Sequence, residues 1–273
     1  SSVAIGYQAG NNTQNQNAIA IGTSAGQYSQ GPQSIALGWF AAQTAQSGQS
    51  IAIGVQCGSS GQATNCVALG YQAGQAGQNN ASVAMGYQAG NLNQGIQCVA
   101  IGYQAGNNGQ NANSIAMGYQ AGYTSQNSNS IAVGYQAGQA DQEYYSVAMG
   151  YQAGQYSQGY DSVAIGYQAG ANGQGSNAVA IGSGAGDSSQ GSDSIAIGYQ
   201  AASNSQGVNS VAIGLNTANL NQSYNAVAIG NNAGSVNQGN SSIAIGAYAA
   251  QTNQAQNSIY LNASGYPPSN PTY

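Results

Sequence analysis

An all-β fold, a parallel β-solenoid of 16-residue coils, is predicted by three features of this 273-residue sequence. A Val/Ile-Ala-aliphatic-Gly motif recurs at one fixed spacing, Val, Ile, Tyr and Gly recur throughout, and almost nothing is charged. The motif begins at Val3, Ile19, Ile35, Ile51, Val67, Val83, Val99, Ile115, Ile131, Val147, Val163, Val179, Ile195, Val211, Val227 and Ile243. Every step is 16 residues, with no insertion or deletion. Stacked coils must keep such a register to preserve their ladders, whereas independent globular elements tolerate loop insertions. Helix is excluded because Val, Ile, Tyr and Gly recur in every part of the chain.

The coil reads Ser-Val-Ala-Ile-Gly-Tyr-Gln-Ala-Gly, three variable residues, Gln, and three more variable residues. Two or three short strands joined by Gly-rich corners fit that order. Val3 and Ile5 stand at i and i+2 and share one strand face, while Ala4 points the opposite way. The Val/Ile face is therefore expected to fill the coil interior. Two buried aliphatics stabilise a coil by roughly 3–6 kcal/mol, against roughly 24 kcal/mol to order its residues. That imbalance predicts a partner chain. The unbroken alanine column (Ala4, Ala20, Ala36, Ala52, Ala68, Ala84, Ala100, Ala116 and onward) is expected to meet it, a homotrimer being the favoured assembly.

The Gly of the motif, from Gly6 to Gly246, is expected at a corner where a Cβ would clash or φ is positive. Past it runs a less uniform aromatic column, with Tyr71, Tyr87, Tyr103, Tyr119, Tyr135, Tyr151 and Tyr167 on seven consecutive rungs. Stacking between rungs would stabilise the roll, and an exposed stripe of such rings would also suit sugar faces or a host surface. The glutamine column is unbroken: Gln14, Gln30, Gln46, Gln62, Gln78, Gln94, Gln110, Gln126, Gln142, Gln158, Gln174, Gln190, Gln206, Gln222, Gln238 and Gln254. Amides repeating at ~4.8 Å can donate and accept along the stack, so a bracing ladder is expected. The variable stretches, rich in Asn, Gly and Ser, read as exposed turns.

Composition removes whole function classes. The chain has no Lys, Arg or His and only five acids, Asp141, Glu143, Asp161, Asp187 and Asp193. It offers no side-chain cation to nucleic-acid phosphates or to an anionic membrane surface. No apolar run approaches the ~18 residues of a membrane-spanning helix. Catalytic triads that use His cannot exist, and no metal-ligand set or cofactor motif stands out, so no cofactor and no enzymatic activity are expected. Asp141 and Glu143 flank Gln142 without a base or nucleophile beside them and read as a solvated turn. Folding is expected to be nearly insensitive to pH between about pH 5 and pH 8.

Three cysteines each replace a small residue of the repeat: Cys57 stands in for Ala, Cys66 and Cys98 for Ser. Small buried side chains are expected there, and Cys66 and Cys98, two coils apart at roughly 9.5 Å, are too distant to bridge. Residues 1–258 are assigned to sixteen coils and 259–273 to a degenerate last coil with a Pro-rich tail, in which Pro267, Pro268 and Pro271 forbid further ladder pairing. Ser1 opens in register without an initiator Met, so a processed segment of a longer protein is expected.

The motif quoted as Ser2-Val3-Ala4-Ile5-Gly6 and Ser162-Val163-Ala164-Ile165-Gly166 resembles the head repeat of YadA-like trimeric autotransporter adhesins. The resemblance implies a left-handed β-roll that trimerises and attaches to host matrix or surfaces. The coil here is longer than that family's usual one, through the Tyr-Gln-Ala-Gly extension. The repeat also resembles the 16-residue repeats of giant-virus and phage fibre proteins, in which a segment like Ser258–Gly265 closes the array. Both point to a non-catalytic fibre or adhesin outside the cell or on a virion. Its partners would be further copies of itself, as a trimer or an end-to-end polymer, and glycans or a host surface. A self-polymerising matrix filament is the alternative, and an ice-binding solenoid, which would want a Thr column, is less favoured.

Overall fold

The computed structural model describes residues 1–265; Pro267, Pro268 and Pro271, expected to end the ladder, lie outside them. The chain is a parallel β-solenoid with two three-residue strands per coil and no helix among the described residues. The first strand of each coil is the Val/Ile-Ala-aliphatic motif, and the second ends on the Gln of the glutamine column. A four-residue turn carries the Tyr-Gln-Ala-Gly segment from one to the other, and a two-residue turn leads into the next coil.

The coils fall into two compact units, Ser1–Asp141 and Gln142–Tyr273. In the first, motif strands from Val3–Ile5 to Ile131–Val133 pair in parallel with like residues opposite, as in Val3 with Ile19 and Ala4 with Ala20. In the second, the same ladder runs from Val147–Met149 to Ile259–Leu261. There Tyr260 takes the place opposite Ala244, so the degenerate coil continues the register. Glutamine strands pair likewise, as in Gln62 with Gln78 and Gln206 with Gln222, with isolated bridges from Leu92 to Ala76 and Asn108 and from Thr252 to Val236 where the strand is not fully formed.

The sidedness of the motif strand corrects the sequence reading. The alanine column points into the coil: Ala20, Ala36, Ala52, Ala68, Ala84, Ala100 and Ala116 are 0 % exposed within the single chain, and only Ala4, on the first coil, is open. These alanines cannot form a chain–chain interface. The aliphatic pair flanking each of them faces outward instead. Lumen width is the cause. An added Cβ on Gly106 would stand 2.7 Å from Gln110 Oε1 and 3.2 Å from Ala100 Cβ. Alanine, glycine and the glutamine carboxamide already fill the cross-section, and an Ile side chain has no room there.

The core is therefore made of small residues. Columns headed by Ala4 and Ala9 and a Ser/Ala/Cys column headed by Ser2 line the lumen, with the glutamines closing it. Serine hydroxyls in that core donate to a carbonyl three residues back, as Ser34 Oγ does to Gly31 O at 2.6 Å. Cys57, Cys66 and Cys98 are buried free thiols in these columns. Cys66 Sγ donates to Asn79 O at 2.9 Å, and the backbone N–H of Cys66 donates to Ser50 Oγ. Burial pushes the Cys57 thiol up to about 12.

Tight corners dictate the remaining residue choices. A Cβ on Gly102, at φ +128°, would sit 2.5 Å from the carbonyl oxygen of Gly118 in the next coil, which explains the unbroken glycine column. The middle residue of the glutamine strand is left-handed, for example Thr13, Ser29, Asn93, Asp141 and Asn221, and short polar residues or Gly dominate there.

Candidate functional site: three outward and inward ladders

The glutamine column runs inside the coils. Gln30, Gln62, Gln78, Gln110 and Gln158 are fully buried. Each carboxamide spans the lumen to the motif strands: Gln110 Nε2 donates to Val99 O at 2.9 Å and to Ser114 O at 3.2 Å, two neighbouring carbonyls of successive coils. The same nitrogen also reaches the next rung, Gln14 Nε2 to Gln30 Oε1 at 3.2 Å, then Gln30 to Gln46, Gln46 to Gln62 and Gln62 to Gln78. Donation runs toward the C-terminus. The rung-to-rung bond is interrupted where Gln94, Gln174, Gln190, Gln206 and Gln254 keep a buried Oε1 that accepts no hydrogen bond. At Gln174, Gln190, Gln206 and Gln254 the carbonyl brace persists. The column is thus a cross-strut first and a ladder second.

A second amide ladder, which sequence reasoning did not single out, lies on the surface. Gln72 Nε2 donates to Gln56 Oε1 at 2.8 Å, and Gln88, Gln104, Gln120 and Gln136 each donate to the rung before. Donation here runs toward the N-terminus. Its residues are left-handed, with φ near +50°. The signal was present in the sequence: this Gln follows the Tyr of the aromatic column in the same coils.

The tyrosine column stacks. Tyr71, Tyr87, Tyr103, Tyr119 and Tyr135 have ring centroids 4.9–5.1 Å apart and planes within 5–8° of parallel. In the second unit Tyr151 stacks on Tyr167 at 5.1 Å, and Tyr144 stacks on Tyr160 at 5.5 Å in a separate column of the variable turns. Rings piled this way cover one another's faces, so what the ladder offers solvent is edges and hydroxyls, with each ring of the first unit's five about 40–43 % exposed. Sugar stacking needs an open face, which this arrangement does not supply.

The fourth feature is the aliphatic stripe. Leu37, Leu69, Met117, Met149, Ile165 and Ile245 are exposed although apolar, and the preceding Val/Ile column is half-buried. Within each unit the two columns make an unbroken apolar face on the motif sheet.

The acids do not converge. No group of three or more His, Cys, Asp or Glu among the described residues could hold a metal ion. Asn177 Nδ2 donates to Asp193 Oδ1 at 2.9 Å, and burial pushes the Asp187 carboxyl up while Asn172 partly offsets this by donating to it. No helix among the described residues is long and apolar enough to cross a membrane.

Residues 157–185 and 189–217 each match the family model of the YadA head domain repeat. Both copies lie in the second unit and include motif strands Val163–Ile165, Val179–Ile181, Ile195–Ile197 and Val211–Ile213. The solenoid of 16-residue coils is consistent with a YadA-like repeat. No curated protein matches the chain.

Proposed function

We propose that the chain is a non-catalytic fibre module displayed outside a cell or on a particle, assembled from copies of itself and used for attachment. The single observation that carries this reading is the outward aliphatic stripe. Each coil leaves one aliphatic of the motif half-buried and the next half-buried or exposed on its outer face, and keeps its smallest side chains in the lumen. Fully burying one such side chain stabilises by roughly 1.5–3 kcal/mol, and a stripe repeated on every coil collects that gain only against a like surface. The matched YadA head repeats support self-association in the manner of adhesin heads, as a homotrimer. The absence of Lys, Arg and His from the sequence, with the dispersed acids, supports a role without catalysis. Attachment to a surface would draw on tyrosine hydroxyls and turn amides rather than on ring faces.

The test is the mass of the native particle, by light scattering and sedimentation, with negative-stain images. A discrete three-chain mass that falls to one chain in an Ile165→Asp, Ile181→Asp double variant is the expected result. A wild-type protein that stays a single chain at high concentration sinks the self-assembly reading. Open-ended filaments would replace the trimer with a self-polymerising matrix fibre.

A further inference from the structure

We infer that the stacked tyrosines are a site of oxidative coupling, where a one-electron oxidant stitches neighbouring coils together through dityrosine bonds. Three observations converge on it. Rings of Tyr71, Tyr87, Tyr103, Tyr119 and Tyr135 are near-parallel copies 4.9–5.1 Å apart, so equivalent ring carbons beside the hydroxyls are held next to each other on successive rungs. Each of these tyrosines is about 40–43 % exposed, so an oxidant in solvent reaches the column. Other routes to a covalent coil-to-coil link are closed: the chain has no Lys for an isopeptide, and its three thiols are buried and unpaired.

The chemistry balances with a haem peroxidase and hydrogen peroxide as the oxidant. Each of two phenols gives up one electron to the peroxidase and its hydroxyl proton to solvent. The two phenoxyl radicals couple through the carbons ortho to oxygen, forming one C–C bond. The hydrogens on those carbons then return to the oxygens as the rings become aromatic again. Two C–H bonds are broken, two electrons and two protons leave, and one peroxide becomes two waters. Each link fixes residue i to residue i+16, closing a loop of one coil, so a coupled ladder resists coil-by-coil unzipping as a disulfide would.

The molecule carries its own control. Tyr7, Tyr199 and Tyr224 are more exposed, at 73 %, 52 % and 52 %, but have no aromatic neighbour among the described residues. If accessibility alone governed oxidation they would react first. The full chain is treated with peroxidase and peroxide, digested with pepsin, and the links mapped by mass spectrometry as peptide pairs lacking two hydrogens. Expected are links one rung apart, in roughly ten-fold or greater excess over any link through the three lone tyrosines, the advantage of reactants held in place. Tyr103→Phe keeps the stack, removes the Tyr87–Tyr103 and Tyr103–Tyr119 links, and leaves Tyr71–Tyr87. A Tyr7→Phe, Tyr199→Phe, Tyr224→Phe variant changes nothing. The inference is overturned if links concentrate on the lone tyrosines, join separate chains predominantly, or show the same distribution in guanidinium-unfolded protein.

Discussion

Two glutamine ladders run through the same coils and behave oppositely. The inner one, typified by Gln110, is fully buried, is tied to backbone carbonyls across the lumen, and donates toward the C-terminus. The outer one, typified by Gln104, is partly exposed, bonds only to its own kind, and donates toward the N-terminus. One residue type therefore serves as an internal strut and as a surface zipper. Environment decides which: buried carbonyls need a partner, whereas outside water competes for every amide.

The comparison is broken most severely from the inside. Gln110→Ala removes the strut, leaves Val99 O without that donor, and opens a void, so a loss of about 3–5 kcal/mol is expected in denaturant unfolding. A loss below that of the outer variant would show that the lumen amides are dispensable. Next comes overfilling. Ala116→Leu forces carbon into a closed lumen and should cost about 1–3 kcal/mol or more, whereas Met117→Leu, one residue along and facing outward, should be near neutral. Equal effects would mean that the strand's two faces are not distinguished as described.

Gln104→Ala, on the outer ladder, should cost roughly 0.5 kcal/mol, and its effect should add to that of a distant lumen variant. Smallest of all near neutral pH is the effect of the buried thiol, which appears only in alkali. Cys57 has its folded pKa raised to about 12 from 9.0, so the stability it contributes is fully present below pH 9 and is lost as pH rises through about 12. A Cys57→Ala variant should lose only the Cys57 share of that alkaline slope in a pH series of unfolding curves, the buried Cys66 and Cys98 thiols, which burial also pushes up, keeping theirs, and both proteins should be flat near neutrality.

Much of this was legible in the sequence because registry is a sequence property. Like residues every 16 positions placed Val3 against Ile19 and Gln14 against Gln30, and the structure pairs those positions. Which face of the motif strand is inside was not legible from alternation, which separates two faces without ranking them. Large apolar residues usually go inside, so Val3 and Ile5 were assigned there. The overlooked clue was size tolerance. The column of Ile5, Leu37, Met85 and Val133 accepts four shapes, whereas the Ala4 column accepts one in all sixteen full coils and the Ser2 column only Ser, Ala and Cys. Restriction to small volume marks the lumen of a narrow coil. The direction of the tyrosine rings was beyond the sequence, since it depends on how each ring settles against the next rung.

The uninterrupted register also constrains how such a molecule can be inherited. Deleting one residue from a coil would turn every column beyond it by one place, sending Gln and Ala out of the lumen and larger side chains in. Loss or duplication of a whole repeat leaves each column intact. The gene can thus lengthen or shorten its product by recombination between near-identical repeats, while single-codon slips are purged. Among descendants of this sequence, array length should vary in whole coils and coil length should not vary at all.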